Sequence, residues 1–158
     1  MSLSSHKLIH YSDVKLEEIK SVEQISTPYY KPKGLWFSVE DGYGWREWCK
    51  QEEFFLENLT IQHELELNEY ANILYLTSKE DLVDFSNTYK KNMIDIEFVS
   101  SYSIDWQSVA MKYQGIVIAP YQWDCRLESK CMWYYAWDCS SGCIWDASTD
   151  LLPGNWTS

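Results

Sequence analysis

Alternating apolar and polar positions give the clearest strand signal in the chain. In "IQHELELNEY", residues 61–70, the side chains of His63, Leu65 and Leu67 share one face, and the residues between them are polar. This period of two is typical of a half-buried antiparallel strand, in which we interpret His63 as a core histidine. Shorter apolar runs predict further strands over residues 8–11, 35–39, 72–76, 116–120, 131–137 and 142–147.

Apolar positions at helical spacing predict the helices. Ser78, followed three residues later by Asp81, resembles a capping box at the start of one helix, and Asp105 is placed to cap another. Residues 90–103 show neither period and are interpreted as a loop. The predicted helices cover residues 45–56, 79–89 and 105–113.

The mixed order of these elements predicts the fold class. A chain of 158 residues fits one domain and can bury roughly two thirds of its unfolded surface. The sequence shows no internal repeat and no stretch of linker-like composition. We therefore predict a single compact α+β domain over residues 1–158, with mainly antiparallel pairing, flanking helices and a disordered start over residues 1–7.

The charge balance limits the possible partners. Twenty-four acidic and thirteen basic side chains give a net charge of -11, which repels phosphate backbones and argues against general nucleic-acid binding. The start "MSLSSHKL" lacks the pattern of a targeting segment, and no apolar run approaches the roughly 20 residues of a membrane span. We expect a cytoplasmic, monomeric protein with no membrane partner.

The cysteines are expected to be reduced thiols. Their number is odd, no export signal is evident, and the "CSSGC" stretch does not match a zinc-ligand spacing. We therefore predict no metal site. The chain also lacks a glycine-rich phosphate-binding loop, which argues against a nucleotide hydrolase of that kind.

Large aromatic side chains are unusually frequent. Nine Trp and twelve Tyr residues provide more flat amphipathic surface than the packing of a small domain requires. We predict that some of these rings line a cleft.

Three short stretches together resemble a known superfamily. "LIHYSDV" carries His10, "GLWFSVED" carries Ser38, and "KYQGIVI" is followed by an acidic C-terminal region. This order resembles the ADP-ribosyltransferase fold, and in particular its small phage-encoded members, such as early proteins and an anti-CRISPR type. The resemblance extends over about residues 8–146. It implies split sheets and an NAD-dependent mono-ADP-ribosyltransferase that modifies a host macromolecule, with a protein acceptor favoured over a nucleic acid.

The resemblance also implies catalytic residues. His10 would bind a ribose hydroxyl, and Ser38 would bind the cofactor or the catalytic carboxylate. The carboxylate itself is favoured at Asp138, which departs from the Glu usual in the family, and the other candidates are Asp124, Glu128 and Asp146. Each of these residues also has a plain structural interpretation: His10 as a strand residue, Ser38 as the end of a strand, and Asp138 as a turn carboxylate.

Further residues are implied to bind the cofactor or the target. Gln122, in the loop before the carboxylate, corresponds to the target-recognition position of the family. Tyr43 and Trp45 are candidates for the ring that stacks on nicotinamide, although Trp45 is also placed to pack within a helix. The implied NAD-binding residues are His10, Tyr11, Trp36, Ser38, Tyr43 and Trp45.

Two alternatives belong to other functional classes. The first is a catalytically inactive acidic inhibitor that grips a partner protein with an aromatic-rich cleft. The second is a carbohydrate-binding domain, suggested by the Trp and Tyr content but disfavoured by the expected intracellular location. NAD-dependent modification of a target distinguishes the transferase from the inhibitor.

Overall fold

A computed structural model describes nine ranges of the chain. They are residues 7–12, 20–24, 31–40, 43–52, 61–67, 70–92, 102–126, 129–147 and 153–157.

A seven-stranded sheet organises the molecule, and a separate pair of strands accompanies it. The strands are β1 (Leu8–Ser12), β2 (Leu35–Val39), β3 (Ile61–Leu65), β4 (Ile73–Leu76), β5 (Lys90–Asn92), β6 (Tyr102–Ile104), β7 (Gly115–Ile118), β8 (Ser141–Ile144) and β9 (Pro153–Thr157). The helices are α1 (Trp45–Glu52), α2 (Lys79–Tyr89) and α3 (Trp106–Ala110), with two 3₁₀ helices over Trp123–Cys125 and Ser129–Ala136.

Antiparallel pairing dominates this sheet. The strand order is β4-β7-β8-β2-β1-β3-β9, and the pairing of β4 with β7 is parallel while all other neighbours in this order pair antiparallel. The parallel pair is connected through α2 and the following elements, as a crossover requires. The α+β class and the antiparallel bias predicted from the sequence are confirmed.

Strands β7 and β8 lie side by side in the interior of the sheet and are buried along their whole length. The run "GIVI" of β7 is apolar throughout because both faces of the strand are covered. Gly142 lies opposite Phe37 in the β2–β8 register, and a Cβ at this glycine would come within 2.5 Å of the Phe37 ring. The lack of a side chain at Gly142 therefore lets β2 and β8 pair closely.

The sheet splits between β1 and β2, and this split positions the functional site. The β1–β2 register covers Leu8 opposite Val39 and Ile9 opposite Ser38. Beyond that point β1 stays paired with β3 along its full length, whereas β2 stays paired with β8 down to Leu35. The two strands thus separate beyond the Ile9–Ser38 pair, toward the end of β1 and the start of β2, and each is held by its other neighbour.

Large aromatic side chains pack together in the core on one face of the sheet. Trp133, Tyr134 and Trp137 are fully buried, and the ring of Trp133 packs edge-on against Phe85 of α2 at 5.5 Å. Ser78 caps the start of α2, since its side chain accepts the backbone N–H of Asp81, as the capping signal predicted.

No helix in the described ranges combines the length and the apolar character that crossing a bilayer requires.

Three sequence-based assignments require correction. Residues 90–103, interpreted as a loop, contain the antiparallel pair β5 and β6. Residues 131–137, predicted as a strand, lie largely in the second 3₁₀ helix, because the buried rings at Trp133, Tyr134 and Trp137 follow helical spacing. Strand β9 was not predicted, since "PGNWT" contains both Pro and Gly.

Other predictions fall partly outside the described residues. The predicted helix over 45–56 is observed as α1 as far as Glu52, and residues 53–56 are not described. Of the predicted disordered start, Lys7 alone is described, and its carbonyl accepts the N–H of Glu40 at 2.9 Å.

A buried hydroxyl in α2 allows a test of this core. Ser86 Oγ donates to the Leu82 carbonyl at 2.8 Å and accepts the indole N–H of the fully buried Trp133 at 2.7 Å. Because Ser86→Ala leaves that N–H without this acceptor, we expect the free energy of unfolding to fall by about 1–3 kcal/mol in urea denaturation.

Thr88 provides a matched control on the same helix. Its hydroxyl makes the same type of bond, to the Asp84 carbonyl at 2.8 Å, but at an exposed position. Thr88→Ala should therefore change stability by no more than about 0.5 kcal/mol. Equal losses in the two variants would contradict the described packing of Trp133.

Candidate functional site

A cleft of about 320 Å³ opens where β1 and β2 separate. This cavity, called the cleft below, is lined by Ile9, His10, Tyr11, Lys31, Trp36, Phe37, Ser38, Trp45, Trp137, Asp138, Cys139 and Ser141. Its volume lies at the lower end of the range of about 300–1,000 Å³ for small-molecule sites. Three distant segments of the chain therefore meet at one concave surface.

His10 reaches across the split between the strands. Its Nδ1 lies 2.5 Å from the carbonyl oxygen of Trp36, so this nitrogen carries the proton and donates, and Nε2 is left as an acceptor. Burial lowers the pKa of His10 below its ordinary value of 6.5, and the nearby His63 adds to the lowering while the bond to Trp36 opposes it. The imidazole is consequently neutral at pH 7 and available as a hydrogen-bond acceptor.

The neighbouring histidine is part of the core. His63 lies opposite His10 in the β1–β3 register, and their rings are 5.6 Å apart. The His63 side chain is fully buried, and its Nδ1 donates to the His10 carbonyl at 3.2 Å. His63 thus supports the strand that carries His10, in agreement with its interpretation as a core residue.

Ser38 belongs to a network of hydrogen bonds beside the cleft. Its hydroxyl donates to Glu40 at 2.6 Å and accepts the backbone N–H of Trp45 at 2.7 Å. The Tyr11 hydroxyl donates to the other oxygen of the same Glu40 carboxylate. The hydroxyl of Ser38 is therefore engaged by a carboxylate and by the first turn of α1.

Gly44 allows this network to pack against the start of α1. A Cβ at Gly44 would overlap a carboxylate oxygen of Glu40 and lie 2.7 Å from Ser38 Oγ. The helix can approach the strand this closely because the glycine has no side chain. The approach sets the position of Trp45, which lines the cleft and stacks on Trp48 at 4.9 Å.

Of the carboxylate candidates that lie within the described residues, Asp138 lines the cleft. It is half-buried between the second 3₁₀ helix and β8. Burial raises the pKa of its carboxyl group. The positive charges of Lys31 and Arg126 lower this pKa, whereas the negative charge of Glu52 raises it. Asp124 is exposed, and Asp146 lies beyond the opposite end of β8, with its N–H bonded to the Gln114 carbonyl. The fourth candidate, Glu128, lies outside the described residues.

Aromatic rings and one ammonium group form the walls of the cleft. Trp36 and Trp137 meet edge to face at 4.8 Å, and Trp137 is almost completely buried. The Lys31 ammonium lies over the Trp36 ring, 5.3 Å from its centroid. The cleft therefore combines flat apolar surface with both a positive and a negative side chain.

Tyr43, which the resemblance assigned to cofactor binding, lies outside the cleft, and Gln122, which it assigned to target recognition, bonds other parts of the protein. The Tyr43 ring packs on Trp123 at 4.8 Å, and its hydroxyl donates to Gln51 at 2.6 Å, outside the cleft. The Gln122 amide donates to the carbonyls of Thr77 and Pro120, at 3.1 and 3.0 Å. Both side chains are engaged in contacts within the protein.

Sequence reasoning missed three residues of this region, namely Glu40, Lys31 and Trp137. Glu40 follows Ser38 by two positions, and the period of two along a strand places both on the same face. That signal was present in "LWFSVE". Lys31 and Trp137 carry no comparable local signal, because one lies in a loop and the other was assigned to a strand that is not formed.

The chemistry open to this site is mainly electrostatic. Burial raises the pKa of the Cys139 thiol well above its usual range, so this cysteine is not a thiolate nucleophile at neutral pH. All five cysteines are buried free thiols. Within the described part of the chain, no group of three His, Cys, Asp or Glu side chains is arranged to hold a metal ion. The cleft offers hydrogen-bond acceptors, one cation and aromatic walls.

Comparisons of the chain with protein-family models, curated proteins and solved structures find no match.

The protonation of His10 can be measured directly by NMR. We expect the imidazole of His10 to titrate with a midpoint below pH 6.5, because burial disfavours the charged ring. The chain has three histidines, so the signal is assigned by its loss in His10→Gln. A midpoint at or above 6.5 would show that the ring is more solvated or paired with an acid, against this description.

The hydroxyl of Ser38 should stabilise the start of α1. Ser38→Ala removes the acceptor of the Trp45 N–H and one donor to Glu40, so we expect a loss of about 1–2 kcal/mol in unfolding free energy. In hydrogen exchange, the Trp45 amide should lose protection. The Trp48 amide, which donates to the Gly44 carbonyl at 3.1 Å, serves as the internal control. Unchanged exchange at Trp45 would rule out the described bond.

Proposed function

We propose that the protein is an NAD-dependent mono-ADP-ribosyltransferase that uses the cleft to transfer ADP-ribose to a macromolecule. The observation that carries the proposal is the convergence of His10, Ser38 and Asp138 at one cleft. These residues lie in three segments separated by at least 28 positions in the sequence.

The arrangement of acceptors suits a sugar. Ribose hydroxyls need hydrogen-bond acceptors, and the cleft offers the neutral imidazole of His10 and the carboxyl group of Asp138. Aromatic rings such as Trp36 and Trp45 provide flat surface for a base or for the apolar side of a sugar. The volume of about 320 Å³ suits one nucleoside-sized half of the dinucleotide, with the remainder extending out of the cleft.

In this reaction NAD supplies the ADP-ribosyl group: the bond between nicotinamide and ribose breaks, nicotinamide leaves with the electron pair, and the acceptor atom bonds to the ribose carbon and loses a proton. Asp138 would stabilise the positive charge that develops on the sugar, since a carboxylate in a poorly solvated site acts strongly on such charge. His10 would orient the ribose, and Ser38 would fix Glu40 and α1 behind the site.

The short pairing between β1 and β2 is the feature of the sheet that supports the proposed family. The resemblance implied split sheets, whereas β1 and β2 are neighbours in one seven-stranded sheet and pair at two positions before they separate beside Ser38. The use of Asp in place of the usual Glu is the main departure, because Asp is one methylene shorter. Ser141, three residues after Asp138, pairs with Ser38, so the segment that carries Asp138 lies next to β2.

An acidic binding protein without catalytic activity is the second candidate. The net charge of -11 and the exposed rings of Trp123 and Tyr135 favour it, because half-exposed aromatic residues are frequent in protein interfaces. In that case NAD would have no effect on the interaction with the partner.

Labelled NAD tests the proposed activity. The purified protein is incubated with NAD labelled on the adenylate phosphate and with cell lysate, and both labelled macromolecules and released nicotinamide are measured. Asp138→Asn removes the negative charge with little change in shape, so we expect transfer to fall by about 100-fold or more.

Asp124→Asn is the matched control for this experiment. Asp124 is exposed and does not line the cleft, so the same change in net charge should leave transfer unaltered. Failure of the wild-type protein to release nicotinamide or to label any macromolecule would overturn the transferase proposal. Equal loss in both variants would show that Asp138 has no special role.

A further inference from the structure

The position of Lys31 suggests which part of a ligand the cleft recognises. Its ammonium group lies over the face of Trp36, with 5.3 Å between Nζ and the ring centroid, inside the cleft lining. An indole face attracts cations through its quadrupole, and Trp is the most effective of the aromatic side chains in this role. A cation of the protein itself therefore occupies one of the Trp faces that line the cleft.

The surroundings of this ammonium group are those of a cation site. Trp137 packs edge to face against Trp36 and is almost completely buried, which fixes the Trp36 ring. Asp138 lines the same cleft and interacts electrostatically with Lys31. A rigid aromatic face with a nearby carboxyl group is a common arrangement for binding organic cations.

Lys31 can leave this position without rearrangement of the backbone. The segment that carries it is anchored by Gln24, whose side chain bonds both the N–H and the carbonyl of Lys33, at 2.9 and 2.7 Å. Pro32 is buried, whereas Lys31 is exposed. The side chain can therefore swing into solvent while the loop and the cleft keep their shape.

We propose that the Trp36 face of the cleft, together with Asp138, is a binding site for a flat organic cation, and that the Lys31 ammonium holds this place until such a ligand displaces it. A neutral ring of the same shape would lose the Lys31–Trp36 interaction without replacing it. A cationic ring replaces that interaction and also gains the attraction of Asp138. The site should thus distinguish ligands by charge.

The inference rests on the proposed function and specifies it further. Oxidised NAD carries its positive charge on the nicotinamide ring, and the reduced form does not, so the site would select the form from which nicotinamide can leave. Displacement of Lys31 would couple the entry of this ring to the release of an ammonium group at the mouth of the cleft.

The test uses a probe that lacks phosphate, so that contacts of Lys31 with anions play no part. Binding of 1-methylnicotinamide, a cation, and of nicotinamide, its neutral counterpart, is measured by calorimetry and by quenching of Trp fluorescence. We expect the cation to bind at least about tenfold more tightly, as expected when a cation–π contact and a charge pair are both gained. Lys31→Met should strengthen binding of the cation by about 3- to 10-fold, because the competing ammonium is removed.

Lys33→Met is the matched control, since it makes the same change in net charge two residues away at an exposed position outside the cleft lining. It should leave the affinity unchanged. Equal binding of the two probes, no binding of the cation, or weaker or unchanged binding in Lys31→Met would each overturn the inference. Binding of the cation without any transfer of ADP-ribose would leave this inference standing and overturn the proposed activity alone.

Discussion

The pairing of β2 with both of its neighbours is the constraint on which the site depends. Ser38 lies opposite Ile9 on one side and opposite Ser141 on the other. Because side chains alternate along a strand, a shift of one residue in either register would move Ser38 to the opposite face of the sheet. The same register places Trp36 and Glu40 on the face of Ser38, and it brings the segment before β8 to the edge of the cleft.

The cleft exists because one pairing ends early while the pairings beside it continue. Beyond the Ile9–Ser38 pair, the rest of β1 remains bound to β3 and residues 35–37 of β2 remain bound to β8, so the separation of β1 from β2 does not unfold either strand. His10 offsets part of the lost pairing, since its ring bonds the Trp36 carbonyl. The buried aromatic cluster on one face of the sheet supplies the rigidity that the split itself lacks.

Much of the fold could be predicted from local patterns. The strands at positions 8, 35, 61, 73, 115 and 141 and the helices α1 and α2 follow from period and capping, because these signals lie within a few neighbouring residues. Residues 131–137 were assigned wrongly, since a run of large apolar side chains fits either a buried strand or a buried helical segment.

The candidate site could be predicted only in part from the sequence. The members of the cleft lie in segments whose proximity is decided by sheet pairing, which no local pattern encodes. The resemblance supplied His10, Ser38 and Asp138, and these do line one cleft, whereas Tyr43 and Gln122 do not. Glu40 was recognisable from its spacing to Ser38. The place of Lys31 over Trp36 depends on the path of a loop, so only the structure shows it.

Cross-strand NOEs at Ser38 are the most direct measurement of the register that forms the cleft. In an antiparallel sheet, opposed residues bring their Cα atoms within roughly 4.5–5.5 Å of each other, so their protons give strong contacts. We expect NOEs from Ser38 to both Ile9 and Ser141, and we expect the strand contacts between β1 and β2 to end at that position. A register displaced by one residue would move Ser38 away from the cleft, and continued pairing of Tyr11 with Trp36 would close the cleft; either result would contradict the described site.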